Sequence, residues 1–152
     1  MTVFVLLLSI FVIVYFLQRL RWINKSSARE MGRVAMGITF IITGLLHFVA
    51  PATYFLMMPR FIPFPLALIY VSGVLEIAGG ALLLVKPQAR KAAYGIAILL
   101  LLIFPANIYV AIENVQLGGY MNSSLYQWAR LPFQFLLIWW ALWCSKPTEN
   151  TQ

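Results

Sequence analysis

LALIYVSGVLEIAGGALLLV, Leu66 to Val85, is a run of twenty residues with one charged side chain, Glu76. As a helix rising about 1.5 Å per residue it measures about 30 Å, the thickness of a bilayer's hydrocarbon core. If Leu66 lies at one surface, Glu76 is about 15 Å deep, near the midplane. A carboxyl group there costs about 2.5–3.5 kcal/mol or more unless it faces protein. Gly73, Glu76 and Gly80 are spaced i, i+3, i+7 and so share one helix face, where the small residues let a second helix approach. The stretch predicts a membrane helix whose acid is turned towards another helix.

The composition around it agrees. Of 152 residues, 62% are hydrophobic and 10% charged, against about 45–50% apolar and 25% charged in ordinary globular chains. Four further apolar runs follow the same logic, at Val3 to Leu17, Val34 to Val49, Ala92 to Ile112 and Leu131 to Cys144. The expectation is therefore an all-α polytopic membrane helix bundle of five spans in one domain. The first run is short for a bilayer, about 24–27 Å with its flanks. Its positive charges, Arg19, Arg21 and Lys25, follow the run instead of preceding it as in a secretory signal, so it reads as a retained anchor over residues 1–25. The last run is short too. It is expected to begin in the turn before Pro132, a residue suited to a first helical turn. Residues 145–152 form a short polar tail.

The charge of +7 reads as topology and not as a nucleic-acid signal. Nine of the eleven Lys and Arg residues fall on one side of the five spans, and only Arg60 and Arg130 on the other. Positive loops stay in the cytoplasm, so the expected place is the cytoplasmic (inner) membrane, multi-pass, with the N-terminus outside and the C-terminus cytoplasmic. The aromatic belts fall the same way: Tyr54, Tyr70, Tyr120, Tyr126 and Trp128 at the outer interface, Trp22, Tyr94 and Trp143 at the inner one. The outer connection Pro51 to Pro65, PATYFLMMPRFIPFP, is too apolar for a plain loop and too rich in proline for one helix, so it should lie in the interface or dip inward against protein.

Polar residues gather in the outer half. By the helical rise, His47 lies about 20 Å and Asn107 about 22 Å from the inner surface. Pro105 has no N–H for the carbonyl of Leu101, which frees that acceptor. Arg130 and Gln134 point inward from the outside on the last span, and Arg130 is placed to pair with Glu76 or with an anionic ligand. His47, Glu76, Asn107, Arg130, Gln134, Tyr54, Tyr109 and Arg60 are the candidate ligand-binding residues; Gly73, Gly80, Pro105 and Pro132 are candidate structural ones. Arg60 reads equally well as a lipid-phosphate contact. No catalytic residue is assigned, and with one Cys (Cys144) and one His neither an internal disulfide, a His-cluster metal site nor a bis-His haem is available to a single chain. Met57 and Met58 read as interfacial filler.

These residues lie in GLLHFVAPATYFLMMPRFIPFPLALIYVSGVLEIAGGALLL (Gly44 to Leu84), FPANIYVA (Phe104 to Ala111) and RLPFQFLLIWWA (Arg130 to Ala141). Together they resemble the DoxX-like family of small bacterial membrane proteins over most of residues 31–144. The resemblance implies a four-helix membrane core made of spans two to five, to which the first span is an addition. It carries over at His47, Tyr54, Pro59, Pro63, Glu76, Pro105, Asn107, Arg130, Pro132 and Gln134. It also implies a tie to redox or sulfur metabolism, because the name-giving members look like a subunit of a thiosulfate:quinone oxidoreductase. No covalently bound cofactor is implied.

Three functions are compatible with this reading. The favoured one is a binding protein whose pocket holds the head of an amphipathic molecule, a quinone or a lipid, with a redox-complex protein as partner and the bilayer as surroundings. A structural or assembly subunit with no ligand of its own is the first alternative, and a small-solute transporter the second. Oligomeric state is left open.

Overall fold

The computed structural model describes residues 2–20 and 26–146. Arg21, Trp22 and Lys25, used above for orientation, and residues 147–152 of the tail lie outside the described residues. Among the described residues all regular structure is helical. Five long helices, α1 (Thr2–Arg19), α2 (Ala28–Val49), α4 (Pro65–Leu84), α5 (Ala89–Glu113) and α6 (Ser124–Cys144), are accompanied by a short α3 (Pro51–Leu56) and two 3-10 turns, Lys86–Gln88 and Gly119–Asn122. Four of the long helices, α1, α2, α4 and α5, are long and apolar enough to cross a membrane. The fifth, α6, has 21 residues, but Gln127, Arg130 and Gln134 make its first half too polar to qualify on composition.

Boundaries differ from the sequence reading where polar residues begin a helix. Helix α2 starts at Ala28, ahead of Val34, because Ser27 caps it: the Ser27 hydroxyl accepts from the Glu30 N–H at 3.2 Å and the Glu30 carboxylate from the Ser27 N–H at 3.3 Å, a reciprocal capping box. Arg33, which precedes the second apolar run in sequence, is buried in α2. Its guanidinium donates to the carbonyls of Leu83 and Leu84 at 2.6 and 3.0 Å, satisfying the open C-terminal end of α4. Helix α6 begins at Ser124, so Pro132 is not in its first turn. It sits in the helix interior, where it leaves the carbonyl of Trp128 without the usual i+4 donor. The connection at Pro51 splits into α3 and a turn ending at Phe64, whose φ of 52° swings the chain into α4.

The tightest packing joins α2 and α4, which run antiparallel. A Cβ added at Gly80 would sit 2.6 Å from the carbonyl oxygen of Gly37, and one at Gly44 2.7 Å from that of Gly73. Two glycine pairs seven residues apart thus let the backbones touch, as small residues do between membrane helices. Leu7, Met36, Phe40, Leu83, Ile96 and Leu137 belong to one core cluster shared by α1, α2, α4, α5 and α6. Helix α1 is fixed to it by Phe4 on Phe133 and Phe11 on Trp140, with ring centroids 4.9 and 5.5 Å apart.

The distribution of side chains is inverted relative to a water-soluble bundle. Leu68, Val71, Val74, Leu75, Ile98 and Leu102 face outward, whereas Arg33, Thr39, Thr43, His47, Ser72, Glu76, Gln127 and Gln134 are buried. Hydrocarbon outside and hydrogen bonds inside are what a bilayer imposes on a helical protein.

Candidate functional site

The glycine seam decides where Glu76 points. With Gly73 and Gly80 against α2, Glu76 lies on the same face and is 6% exposed. Its Oε2 accepts from the Thr43 hydroxyl at 2.8 Å, and its Oε1 lies 3.5 Å from His47 Nε2. The other ring nitrogen of His47, Nδ1, is 2.9 Å from the Ile69 carbonyl oxygen. A carbonyl only accepts, so Nδ1 carries the hydrogen, with Ser72 Oγ a further 3.1 Å contact. That leaves Nε2 and Glu76 Oε1 facing each other as two sites for a proton. Tyr54 of α3 stacks on the imidazole at 3.8 Å between centroids. Burial, aided by the charge of Glu76 and opposed by Arg130, pushes its phenol up to about 12, so its hydroxyl keeps its hydrogen as a donor.

A second polar group is built from α5 and α6. The Gln134 amide donates to the Leu100 carbonyl, in the turn next to the acceptor that Pro105 was expected to free at Leu101. Its oxygen accepts from Asn107 Nδ2 at 2.6 Å. The Asn107 oxygen in turn accepts from the Arg130 guanidinium, which also reaches Met57 Sδ at 3.9 Å. Arg130 forms no ion pair among the described residues; Glu76 is engaged by Thr43 and His47 instead, so the expected Arg130–Glu76 pairing is replaced by two separate groups.

Both groups line one cavity of about 170 Å³. His47, Glu76, Thr43 and Ser72 lie on the α2–α4 side, Asn107, Arg130 and Gln134 on the α5–α6 side, and Phe40, Leu100, Ile103, Phe133 and Leu137 supply apolar wall. Val3 of α1 contributes too, so the first helix takes part in enclosing the space. Of the eight candidate ligand residues, His47, Tyr54, Glu76, Asn107, Arg130 and Gln134 meet at this cavity. Tyr109 does not line it, and Arg60, in the turn after α3, is exposed and does not line it either. Thr43, Ser72 and Met57 are additions that the sequence reading did not assign to the site. Their signal was present only in part: Thr43 shares the α2 face with Gly37, Gly44 and His47, while nothing local to Ser72 or Met57 distinguishes them. Pro105 lies in α5, and Gly73 and Gly80 form the seam described above.

The arrangement sets a His47–Glu76 pair, and an Arg130 that has no counter-ion among the described residues, around a space largely apolar elsewhere. A family model described as "Domain of unknown function (DUF8561)" matches residues 36–145, from within α2 to the residue after α6. No curated protein and no solved structure matches the chain.

Proposed function

Because the chain belongs to the DUF8561 family, whose description assigns no activity, we propose its function from the cavity: it is a multi-pass membrane protein that binds the polar head of an amphipathic quinone or lipid, as the membrane subunit of a redox system. The observation that carries this reading is the placement around one cavity of the His47–Glu76 pair and of Arg130, which has no ion-pair partner among the described residues. The volume favours the quinone alternative. An apolar cavity of about 150 Å³ holds one benzene ring, so about 170 Å³ takes a single ring head with its tail left among the helices or in lipid. Arg130 and Asn107 donate to one oxygen of the head, and His47 or Glu76 serves the other.

Reduction of a quinone to a quinol consumes two electrons and two protons. The electrons come from a partner protein, and the His47–Glu76 pair exchanges the protons, which makes this chain an acid/base and docking subunit. The same reading holds α6 to be a fifth span and α1 a helix added to a DoxX-like core of α2, α4, α5 and α6. It also sets the N-terminus outside and the C-terminus in the cytoplasm, supported by the nine-to-two division of Lys and Arg.

Binding of a short-chain benzoquinone to the purified protein in detergent tests the proposal. Losing a hydrogen bond to a charged group costs about 1.5–3 kcal/mol, so Arg130→Ala should weaken binding about 10- to 100-fold, and Glu76→Gln should abolish or similarly weaken it, while both variants still insert. Wild-type affinity in a folded Glu76→Gln protein overturns the assignment.

A further inference from the structure

At the end of the bundle away from the cavity, Arg90 in the first turn of α5 and Lys146, just past α6, border one surface recess of about 330 Å³ with Tyr94, Ser145, Trp139 and Trp143. Among the described residues no acidic side chain lines it. Its wall is aromatic: the indoles of Trp139 and Trp143 stack at 5.9 Å with 13° between planes, and Trp139 is 58% exposed. The exposed surface leading away from the two cations is apolar. On α5, Tyr94, Ile98 and Leu102 stand at i, i+4, i+8 and are 51%, 58% and 71% exposed. On α6, Phe135 and Trp139 lie at i, i+4. Phe104 of α5 touches Phe135 edge-on at 5.1 Å on the side of α5 away from Leu102, so two apolar tracks leave the recess, one on each helix, starting at Tyr94 and at Trp139.

We propose that this recess and these tracks hold an anionic phospholipid, with the phosphate between Arg90 and Lys146, one acyl chain along Ile98 and Leu102 and the other along Trp139 and Phe135. The head site attracts negative charge, the indole wall suits the interfacial depth where headgroups lie, and the two apolar rows match the two hydrocarbon chains of a phospholipid. A zwitterionic lipid brings an ammonium group to a recess that already holds two cations, so the anionic class is selected. Attraction of about fivefold per cation sets the expected size of the preference. The site is separate from the cavity: Asn107 lies about 26 Å along α5 from Arg90.

The test uses the full chain in phosphatidylcholine vesicles doped with lipids brominated on their chains. Trp139 fluorescence is isolated as the difference between wild type and Trp139→Phe. The expected result is half-maximal quenching at a mole fraction of brominated phosphatidylglycerol at least about fivefold below that of brominated phosphatidylcholine. The double variant Arg90→Gln/Lys146→Gln, altered only at the exposed head site, should lose that preference with an unchanged circular dichroism spectrum. A large excess of inorganic phosphate should leave it intact. Equal quenching by the two lipids, a preference that survives the double variant, or displacement by inorganic phosphate overturns the proposal, the last by reassigning the recess to a soluble anion.

Discussion

His47 has one ring nitrogen committed to the Ile69 carbonyl and the other turned towards Glu76, the division of labour on which the proposed proton exchange rests. Thr43 completes it by donating to the second carboxyl oxygen at 2.8 Å. Thr43→Val keeps the shape but removes this donor from a buried acid, and should lower stability by about 1–3 kcal/mol, read from unfolding of the purified protein in detergent; an unchanged unfolding midpoint would mean that the carboxyl does not depend on the hydroxyl. At this scale the sequence was informative about charge and poor about hydroxyls. Glu76 stands out in a run of apolar residues because a lone acid at that depth requires a partner. Thr43 and Ser72 do not stand out, because hydroxyls in helices commonly bond their own preceding turn, as Thr39 does to the Ala35 carbonyl at 2.7 Å. Only the folded geometry tells which of them reaches across to another helix.

The α2–α4 pair is the element on which the cavity depends. Its glycines are not equivalent to the others in the chain. Gly80→Ala would bring a methyl group to 2.6 Å from the Gly37 carbonyl oxygen, so the helices must separate, and a loss of more than about 1 kcal/mol is expected from overpacking. Gly95→Ala, in α5 with nothing within 4 Å of the added carbon, should be neutral or stabilising by up to about 1 kcal/mol. Equal unfolding midpoints for the two variants would contradict the seam. The i, i+3, i+7 spacing of Gly73, Glu76 and Gly80 disclosed this face in advance, since periodicity survives in an apolar helix when small residues mark it. Helix starts were harder to read. Hydropathy alone put the last run at Leu131, whereas α6 opens seven residues earlier through SLYQWAR. Its polar residues turn into the bundle, where Gln127 donates to the Val115 and Met121 carbonyls and Arg130 and Gln134 bond to Asn107, so low hydropathy did not mean the helix had ended.

Across the described residues, exposed Leu, Ile, Val and Phe enclose an interior in which polar side chains are buried beside an apolar core, and the apolar exterior follows from composition. What composition did not reveal is that the interior divides into two hydrogen-bonded groups with space between them, since that depends on how far apart α4 and α6 are held. Orientation has its own test at this scale. In a Cys144→Ser background, Thr2→Cys should react with a membrane-impermeant maleimide on intact cells and Ser145→Cys only after permeabilisation; the reverse pattern would invert the topology. Photoaffinity labelling with an azido-benzoquinone tests directly whether the cavity is a ligand site. Cross-links should fall on peptides carrying Thr43 to Met58 and Asn107 to Leu137 and should disappear when unlabelled quinone is added. Cross-links spread over the lipid-facing surfaces and indifferent to competitor would show that the two polar groups serve packing alone.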